Sequence, residues 1–360
     1  MKIAIIGLPN SGKTTVFNAL TRGTAETTAY ASGQLEPNIA TVKVPDPRLQ
    51  VLADMFSPKK NTPADVQYGD VGGLSSGARQ HGGLPPAVLN FIGGADALLH
   101  VARAFEDEAV SHPEGSVDLA RDVESVDLEL AFSDMAIIER RLQKLNAEIG
   151  KMSSKDRELR IAERDLLDKL QAALESGTPI RDVELNEEEE RTLRGYQFLT
   201  AKPLLLVINI GEQAIKQPPA LAYDHRKSGV VALAGKVEAE LAQLDDEDAA
   251  AFMEDLGIAE AARDRVIEKS YELLGLISFL TAGPDEVRAW TIRRNTPAVE
   301  AAGAIHSDIQ RGFIRAEIVA YDDLIKAGGM AEAKKQGTVR MEGKTYIVKD
   351  GDVCHFLFNV

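Results

Sequence analysis

An eight-residue glycine-rich segment near the amino end constrains this chain more than any other feature. Residues 7–14 read G-L-P-N-S-G-K-T and match the phosphate-binding pattern G-x-x-x-x-G-K-[ST] in full. The segment follows the apolar run 2–6, which predicts a buried strand, and it precedes Val16, Phe17 and Leu20, which are spaced like one face of a helix. Strand, glycine loop and helix are the context that this motif requires. We therefore interpret the segment as a phosphate-binding loop rather than a chance glycine turn.

The residue types of this loop suit a nucleotide polyphosphate. Glycines let the backbone curl so that its N–H groups point inward at phosphate oxygens, and the helix start adds further N–H donors. Lys13 would reach the β- and γ-phosphates, and the Thr14 hydroxyl would hold Mg²⁺. The expected contacts of nucleotide and ion in this loop are Pro9, Asn10, Ser11, Gly12, Lys13, Thr14 and Thr15.

The overall properties of the chain restrict its class. A length of 360 residues is too great for one ordinary core, so we expect two or three domains. No apolar stretch approaches a membrane span, the run before Gly7 is too short for a secretory signal, and the only cysteine, Cys354, excludes an intramolecular disulfide. The net charge of −15 opposes indiscriminate binding to nucleic acid. These features predict a cytoplasmic protein, in which any RNA contact would use a local basic patch.

Three kinds of sequence pattern divide the chain. Residues 1–117 and 197–277 alternate apolar runs with helical patterns, which is typical of one α/β domain with a parallel sheet. Residues 118–196 carry leucines and isoleucines at helical spacing on both sides of a break, which predicts two paired helices inserted as an arm. Residues 278–360 predict a small β-rich domain with hairpins, one of them across residues 339–348. The predicted fold class is α/β, with a P-loop domain, an inserted helical (coiled-coil) arm and a C-terminal β-rich domain.

A second magnesium-linked carboxylate is expected at the end of a strand, followed by a glycine that senses the γ-phosphate. Asp70 and Gly73 supply this D-x-x-G pattern, in which Asp70 would hold Mg²⁺ through water. The preceding residues 66–69 form a weak strand pattern, and an ordinary turn aspartate is the alternative reading.

The purine base is normally recognised by N-K-x-D at the end of a later strand. Asn209, Ile210 and Glu212 occupy that place here, after the apolar run 204–208. Because the carboxylate is displaced by one methylene and the lysine is absent, guanine selection is weakened and adenine, with its different hydrogen-bonding edge, is favoured. The residues expected to close over the base after the next strand are Ala234, Gly235 and Lys236.

A water-orienting group is harder to find in the sequence. Leu74 follows D-x-x-G, where Ras-like GTPases place a glutamine, and leucine cannot orient water. His81, in a glycine-rich run, and His100, at the end of an apolar strand, are the candidates. A single histidine is more often structural than catalytic.

These motifs together resemble one family, the YchF-type Obg-like ATPases of the translation-factor-related class of P-loop GTPases. The resemblance covers essentially the whole chain. It includes L-E-P-N at 35–38, P-D-P-R-L at 45–49, N-x-x-E at 209–212, E-V-R-A-W-T at 286–291 and the C-terminal F-L-F-N-V.

The resemblance implies a G domain interrupted by a helical arm and followed by a β-grasp TGS domain. It also implies slow, ATP-preferring hydrolysis with Mg²⁺, association with the large ribosomal subunit, and a monomer. The base-reading pair of the family falls on Asn209 and Glu212, and its water-positioning histidine falls on His100, which raises His100 above His81. RNA contact would use the cluster Arg293, Arg294, Arg311 and Arg315, although ordinary surface arginines explain this cluster nearly as well.

Several residues depart from the family pattern. Gln34 stands where the first switch usually has threonine, and residues 76–85 of the second switch lack its lysine, its acid and its last glycine. Nucleotide binding is therefore a firmer expectation than efficient hydrolysis, and a divergent paralogue is expected. Two alternatives stay open, a nucleotide-binding adaptor with little turnover and a GTP-specific translation GTPase.

Overall fold

The structure, a computed structural model, describes residues 1–23, 37–71, 85–151, 153–258 and 260–359. Gly73, Gln34 and residues 76–84 lie outside these ranges. The strands are β1 (Lys2–Ile6), β2 (Asn38–Lys43), β3 (Lys60–Thr62), β4 (Asp65–Asp70), β5 (Ala97–Ala104), β6 (Leu204–Ile210), β7 (Ser228–Leu233), β8 (Leu276–Ala282), β9 (Glu286–Arg293), β10 (Phe313–Ala320), β11 (Arg340–Glu342) and β12 (Asp352–Phe358).

Helices lie between most of these strands. The α-helices are α1 (Lys13–Thr21), α2 (Pro47–Phe56), α3 (Pro86–Gly93), α4 (Leu119–Glu148), α5 (Ser154–Glu175), α6 (Glu187–Leu193), α7 (Gly235–Leu241), α8 (Asp246–Leu256), α9 (Ala262–Leu273), α10 (Ala298–Ile305), α11 (Ser307–Arg311), α12 (Tyr321–Ala327) and α13 (Met330–Lys335). Within the described ranges, none of them combines the length and apolar character needed to span a membrane.

Two compact units make up the chain. One contains residues 1–40 and 67–266, and the other contains residues 41–66 and 267–360. The segment 41–66, which sequence patterns group with the first α/β part, therefore clusters with C-terminal residues. The boundaries at 117, 196 and 277 remain predictions.

The first unit is built on a sheet with strand order β2-β4-β1-β5-β6-β7. Strand β1 pairs in parallel with β4 and β5, and β6 pairs in parallel with β5 and β7. The apolar runs predicted as strands are confirmed as β1, β5, β6 and β7. Strands β1, β5 and β6 lie inside the sheet and are almost wholly buried, because a parallel sheet is covered on both faces, whereas β7 is at the edge and is only partly buried. The weak pattern at 66–69 also forms a strand, β4, because Val66 and Tyr68 are fully buried on one of its faces.

The predicted helical pair is α4 and α5. Its facing side chains form one apolar cluster that includes Ile138, Leu142, Leu145, Leu166, Leu170 and Leu174. A charged group reinforces the pair, because Arg141 donates two hydrogen bonds of 2.8 and 2.9 Å to the Glu163 carboxylate. The break at Ser153 falls where the sequence pattern is interrupted.

The second unit contains a sheet with order β11-β10-β12-β8-β9-β3 over a core of apolar side chains that includes Phe279, Phe313 and Phe356. The hairpin predicted across residues 339–348 is wrong. Strand β11 pairs antiparallel with β10, and Ile347 forms only an isolated bridge with Pro297. The three-residue β11 pairs with the distant β10 rather than across the local turn, because β10 supplies partners for its backbone N–H and C=O groups.

Candidate nucleotide-binding site

The phosphate-binding loop leaves the sheet at the carboxyl end of β1. Parallel pairing brings the ends of β4, β6 and β7 to the same edge, so Asp70, Asn209 and Ala234 lie around the loop although they are far apart in the sequence. This edge is where open α/β sheets bind ligands.

The two glycines of the loop are required by its geometry. Gly7 has φ +146°, and a Cβ there would lie 2.3 Å from the Val101 carbonyl oxygen. Gly12 has φ +90°, and a Cβ there would lie 2.2 Å from the Asn209 Nδ2 atom. A side chain at Gly7 would overlap the backbone, and a side chain at Gly12 would have to displace the Asn209 amide, while the backbone conformation disfavours one at both positions. The first residue of α1, Lys13, follows Gly12 directly, so the amino end of the helix opens on the loop.

Asn209 connects three parts of the site. Its amide Nδ2 donates to the Ser11 carbonyl at 3.0 Å, and its Oδ1 accepts from the Gly235 backbone N–H at 3.0 Å. The side chain is 3% exposed, so both bonds are shielded from water. Asn209 thereby ties the phosphate-binding loop to the start of α7.

Thr14 and Asp70 meet beside the loop. The Thr14 hydroxyl donates to Asp70 Oδ2 at 2.8 Å, while Asp70 Oδ1 is buried and has no hydrogen-bond partner. Burial raises the pKa of Asp70, and the Thr14 hydrogen bond and the Lys13 charge oppose that shift. A buried carboxylate oxygen without a partner next to a hydroxyl fits a hard cation that prefers oxygen ligands.

The described residues contain no group of three His, Cys, Asp or Glu side chains that would hold a metal alone. An ion at Thr14 and Asp70 would therefore complete its shell with phosphate oxygens and water, as Mg²⁺ does in phosphate sites. The residues fit Mg²⁺ in that role.

Lys13 is buried within the loop. Its ammonium donates to the carbonyl oxygens of Gly7 at 3.1 Å and Leu8 at 2.6 Å. Burial lowers the pKa of Lys13 to about 8, and the Asp70 carboxylate acts in the opposite direction. A buried cation beside the amino end of a helix is suited to an anionic ligand.

His100 lies inside the molecule rather than at the surface of the site. It is 1% exposed on β5, and its Nδ1 atom has no hydrogen-bond partner. It lines a narrow space, too small to hold a water molecule, together with Leu8 and Ser11 of the phosphate-binding loop. Burial lowers the pKa of His100 to about 3, and the charges of Lys13 and Arg181 act in the same direction. The imidazole is therefore neutral at physiological pH.

This buried imidazole is expected to make stability fall with acid. The unfolded chain takes up a proton near pH 6.5 that the folded chain refuses down to about pH 3, so this contribution is complete above pH 6.5 and is lost as the pH falls. Between pH 7 and pH 5 the loss is about 2 kcal/mol. The pKa of Asp134, which burial raises to about 6, acts in the opposite direction over this range. Chemical unfolding at the two pH values should therefore show a change in the wild type that is about 2 kcal/mol more unfavourable than the change in His100→Gln.

The control for this measurement is His355→Gln, because the His355 side chain is 66% exposed. This variant should keep the pH response of the wild type. An identical pH response in the wild type and in His100→Gln would contradict the buried, neutral imidazole.

Two side chains of this site were missed by sequence reasoning. Phe105 follows β5, and its Cε1 atom would lie 3.9 Å from a Cβ at Gly12. The guanidinium of Arg103 lies 4.5 Å from the centre of the Phe105 ring, and its Nε donates to the Phe105 carbonyl at 3.0 Å. The only signal in the sequence was an aromatic residue just after a strand that ends at the nucleotide edge.

Other residues predicted for the site make no contact described above with the phosphate-binding loop. Ile210 is buried in the core that lies against β6, whereas Glu212 is exposed in the single turn Glu212–Ala214 and Lys236 is exposed on α7. Of the remaining loop residues, Pro9, Asn10 and Thr15 are partly buried. Gly73 and His81 lie outside the described residues.

The fold and the site define a class of protein. A parallel sheet, a glycine loop at the end of its first strand, and a lysine, a threonine and an aspartate at that loop are the architecture of a P-loop nucleoside triphosphatase. The sequence profile of a 50S ribosome-binding GTPase matches residues 2–138, and the profile YchF-GTPase_C, described as a protein of unknown function, matches residues 276–359.

Full-length relatives show the family. The ribosome-binding ATPase YchF of Bacillus subtilis is 43% identical over 99% of this chain and 98% of its own length. Obg-like ATPase 1 of Oryza sativa subsp. japonica is 36% identical over 100% of this chain and 92% of its own. The solved structure of the Schizosaccharomyces pombe YchF GTPase is 28% identical, covers 99% of this chain and 97% of that one, and superposes with a TM-score of 0.84. The chain belongs to the YchF family of P-loop nucleoside triphosphatases, as its motifs predicted.

Proposed function

We propose that this protein binds a purine nucleoside triphosphate with Mg²⁺, hydrolyses it slowly with a preference for ATP, and acts on the ribosome. The observation that carries the proposal is the convergence of Lys13, the Thr14–Asp70 pair and Asn209 at one edge of the sheet. Lys13 holds the β- and γ-phosphates, and Thr14 and Asp70 hold the ion. When bound, Mg²⁺ neutralises charge on the β- and γ-oxygens.

Asn209 acts on the nucleotide indirectly in this proposal. Both ends of its amide are engaged by the Ser11 carbonyl and the Gly235 N–H, so it positions the loop and the 234–236 segment. Recognition of the base then falls to the backbone of that segment and to Glu212, with the Phe105 ring at the side of the pocket.

The preference for ATP rests on Glu212, which stands where a guanine site has aspartate. The names of the relatives differ on this point, since the Bacillus subtilis protein is called an ATPase and the Schizosaccharomyces pombe structure a GTPase. Competition calorimetry should show ATP binding about tenfold more tightly than GTP, the worth of roughly one hydrogen bond. Glu212→Asp should narrow that difference, and tighter binding of GTP to the wild type would contradict the preference.

The proposed turnover is slow because of the state of His100. We assign it the orientation of the attacking water, for which a neutral imidazole is a suitable acceptor. A side chain that is 1% exposed must gain access to the γ-phosphate before it acts. The same burial supports the second candidate, an adaptor that binds nucleotide with little turnover.

Phosphate release with and without ribosomes separates these two candidates. A rate above background that falls at least about tenfold in His100→Ala supports hydrolysis. Tight nucleotide binding with background release in both conditions supports the adaptor.

Ribosome association is proposed from the name of the Bacillus subtilis relative, a ribosome-binding ATPase. We place it on the large subunit, with the C-terminal TGS domain contacting RNA and the protein acting as a cytoplasmic monomer. In the structure Arg311 is paired with Asp308 at 2.5 Å, whereas Arg294 and Arg315 are exposed on the same unit. Co-sedimentation of wild type and the variant R294A/R315A with isolated 50S particles tests this placement, and unchanged binding would contradict it.

A further inference from the structure

We infer that Asp122, on the first turn of α4, is a positioning residue for the phosphate-binding loop, acting through His112 and Ser111 on Asn10. The inference rests on the proposed nucleotide binding and extends it into the helical arm. The chain of contacts runs within one compact unit, from the loop through residues 105–118 to α4.

The first link joins the phosphate-binding loop to the segment before α4. Asn10 has φ +60°, a left-handed conformation that asparagine tolerates better than most residues. Its side chain turns away from the glycine cradle, because its Nδ2 donates to the Ser111 carbonyl oxygen at 2.9 Å. The position of Ser111 therefore helps to set the conformation of the loop at Asn10.

The second link is between Asp122 and His112, the residue that follows Ser111. His112 Nε2 lies 2.9 Å from Asp122 Oδ2, and both side chains are almost fully buried. The Glu114 backbone N–H donates to His112 Nδ1 at 3.1 Å, so a neutral ring carries its proton on Nε2. Among the described residues, Asp122 Oδ2 has no hydrogen-bond partner, so its contact with Nε2 is a close approach of a charged group rather than a formed hydrogen bond. Arg121 donates to the other oxygen, Asp122 Oδ1, at 2.8 Å. A buried carboxylate depends on neighbours at this distance, so a change at Asp122 acts on His112.

The third observation is the narrow space between these elements, which is too small to hold a water molecule. Ser11, His100, Arg103, His112 and Asp122 all line it. Within the part of the chain that the structure describes, Ser11 Oγ, His100 Nδ1, Arg103 Nη1 and Asp122 Oδ2 are buried without a hydrogen-bond partner. Unpaired buried polar atoms are unfavourable, so a change at Asp122 alters a group of polar atoms that includes one of the phosphate-binding loop.

The alternative is that this contact only fastens the segment locally. The two explanations differ in the coupling between Asp122 and Asn10, which a double-mutant cycle measures. Asn10→Ala, Asp122→Asn and the double variant are titrated by calorimetry with a non-hydrolysable ATP analogue and Mg²⁺. Each single change should weaken binding about threefold to tenfold, and the double variant should bind no more weakly than the weaker single variant, because one chain of contacts is broken in each case.

Asp118→Ala is the matched control. Asp118 caps the same helix by accepting from the Arg121 N–H at 3.1 Å, but it has no contact with His112. It should lower the thermal midpoint and combine additively with Asn10→Ala. If Asp122→Asn does not fold, His112→Gln breaks the same contact from the other side and enters the same cycle.

The possible results are distinct. If the free-energy losses of Asn10→Ala and Asp122→Asn simply add in the double variant, as expected for Asn10→Ala with Asp118→Ala, the positioning role is overturned. The proposed nucleotide binding is then left intact. Failure of the wild type to bind analogues of either ATP or GTP overturns the proposed function and this inference together. The positioning role of Asp122 is established if the losses of nucleotide affinity are non-additive when Asn10→Ala is combined with Asp122→Asn or His112→Gln, and additive when it is combined with Asp118→Ala.

Discussion

Replacing Lys13 with alanine is expected to weaken the binding of ATP and GTP by at least about a hundredfold. A hydrogen bond between charged partners contributes about 1.5–3 kcal/mol, and Lys13 is placed to contact two phosphate groups. Its ammonium already lies within the loop, held by the carbonyl oxygens of Gly7 and Leu8. Removing it takes away both the phosphate contact and the charge that offsets the polyphosphate in a buried site.

The fold should survive this change, because a lysine whose pKa burial lowers to about 8 is costly to keep charged. Calorimetric titration measures the affinity, and circular dichroism with a thermal scan verifies the fold. Lys144→Ala is the control, since the Lys144 side chain is 64% exposed on the arm. Unchanged affinity in folded Lys13→Ala would refute the site, and an equal loss in Lys144→Ala would show that the effect is only one of net charge.

Replacing Gly12 with alanine is expected to lower both stability and nucleotide affinity. The left-handed backbone at φ +90° costs an alanine about 1 kcal/mol. In addition, its Cβ would lie 2.2 Å from Asn209 Nδ2 and push that side chain off the Ser11 carbonyl and the Gly235 N–H. Two buried hydrogen bonds contribute roughly 1–3 kcal/mol each when a partner is left unsatisfied, so with the backbone strain we expect a total loss of about 3–7 kcal/mol.

Gly177→Ala separates backbone strain from this displacement. Gly177 has φ +80°, and a Cβ there would meet no atom within 4 Å. It should cost about 1 kcal/mol and leave nucleotide affinity unchanged. Unfolding in urea gives the two stabilities, and titration gives the two affinities. Equal losses for the two variants would mean that Asn209 does not restrain the loop.

The arm and the strands were predictable because their signals are local. A run such as 204–208 has few ways to bury five apolar side chains other than a covered strand, and the spacing of Ile138, Leu142 and Leu145 allows only a helix face. The hairpin across residues 339–348 failed because its turn signal was local while the partner of β11 lies more than twenty residues upstream, on β10.

The roles of single side chains likewise divide into those that a local motif predicts and those that depend on long-range contacts. Lys13, Thr14 and Asp70 were assigned from motifs whose chemistry requires those residue types, and the structure brings Thr14 and Asp70 within 2.8 Å. Asn209 is predicted to address the base, and the structure adds that its amide also bonds to Ser11 and Gly235. No spacing rule reveals such a contact, because it depends on which strands become neighbours.

The sequence by itself determined that this chain holds a phosphate-binding loop, a long helical pair and a β-rich end, and it determined the family, since glycine conformations and apolar periods are encoded within a few residues. Only the tertiary structure decided that His100 is buried and neutral, that residues 41–66 join the C-terminal unit, and that Asp122 lies 2.9 Å from His112, next to the residue that Asn10 contacts. Burial and pairing at these positions arise from segments that meet only when the sheet assembles, and a side chain's pKa and partners follow from those neighbours.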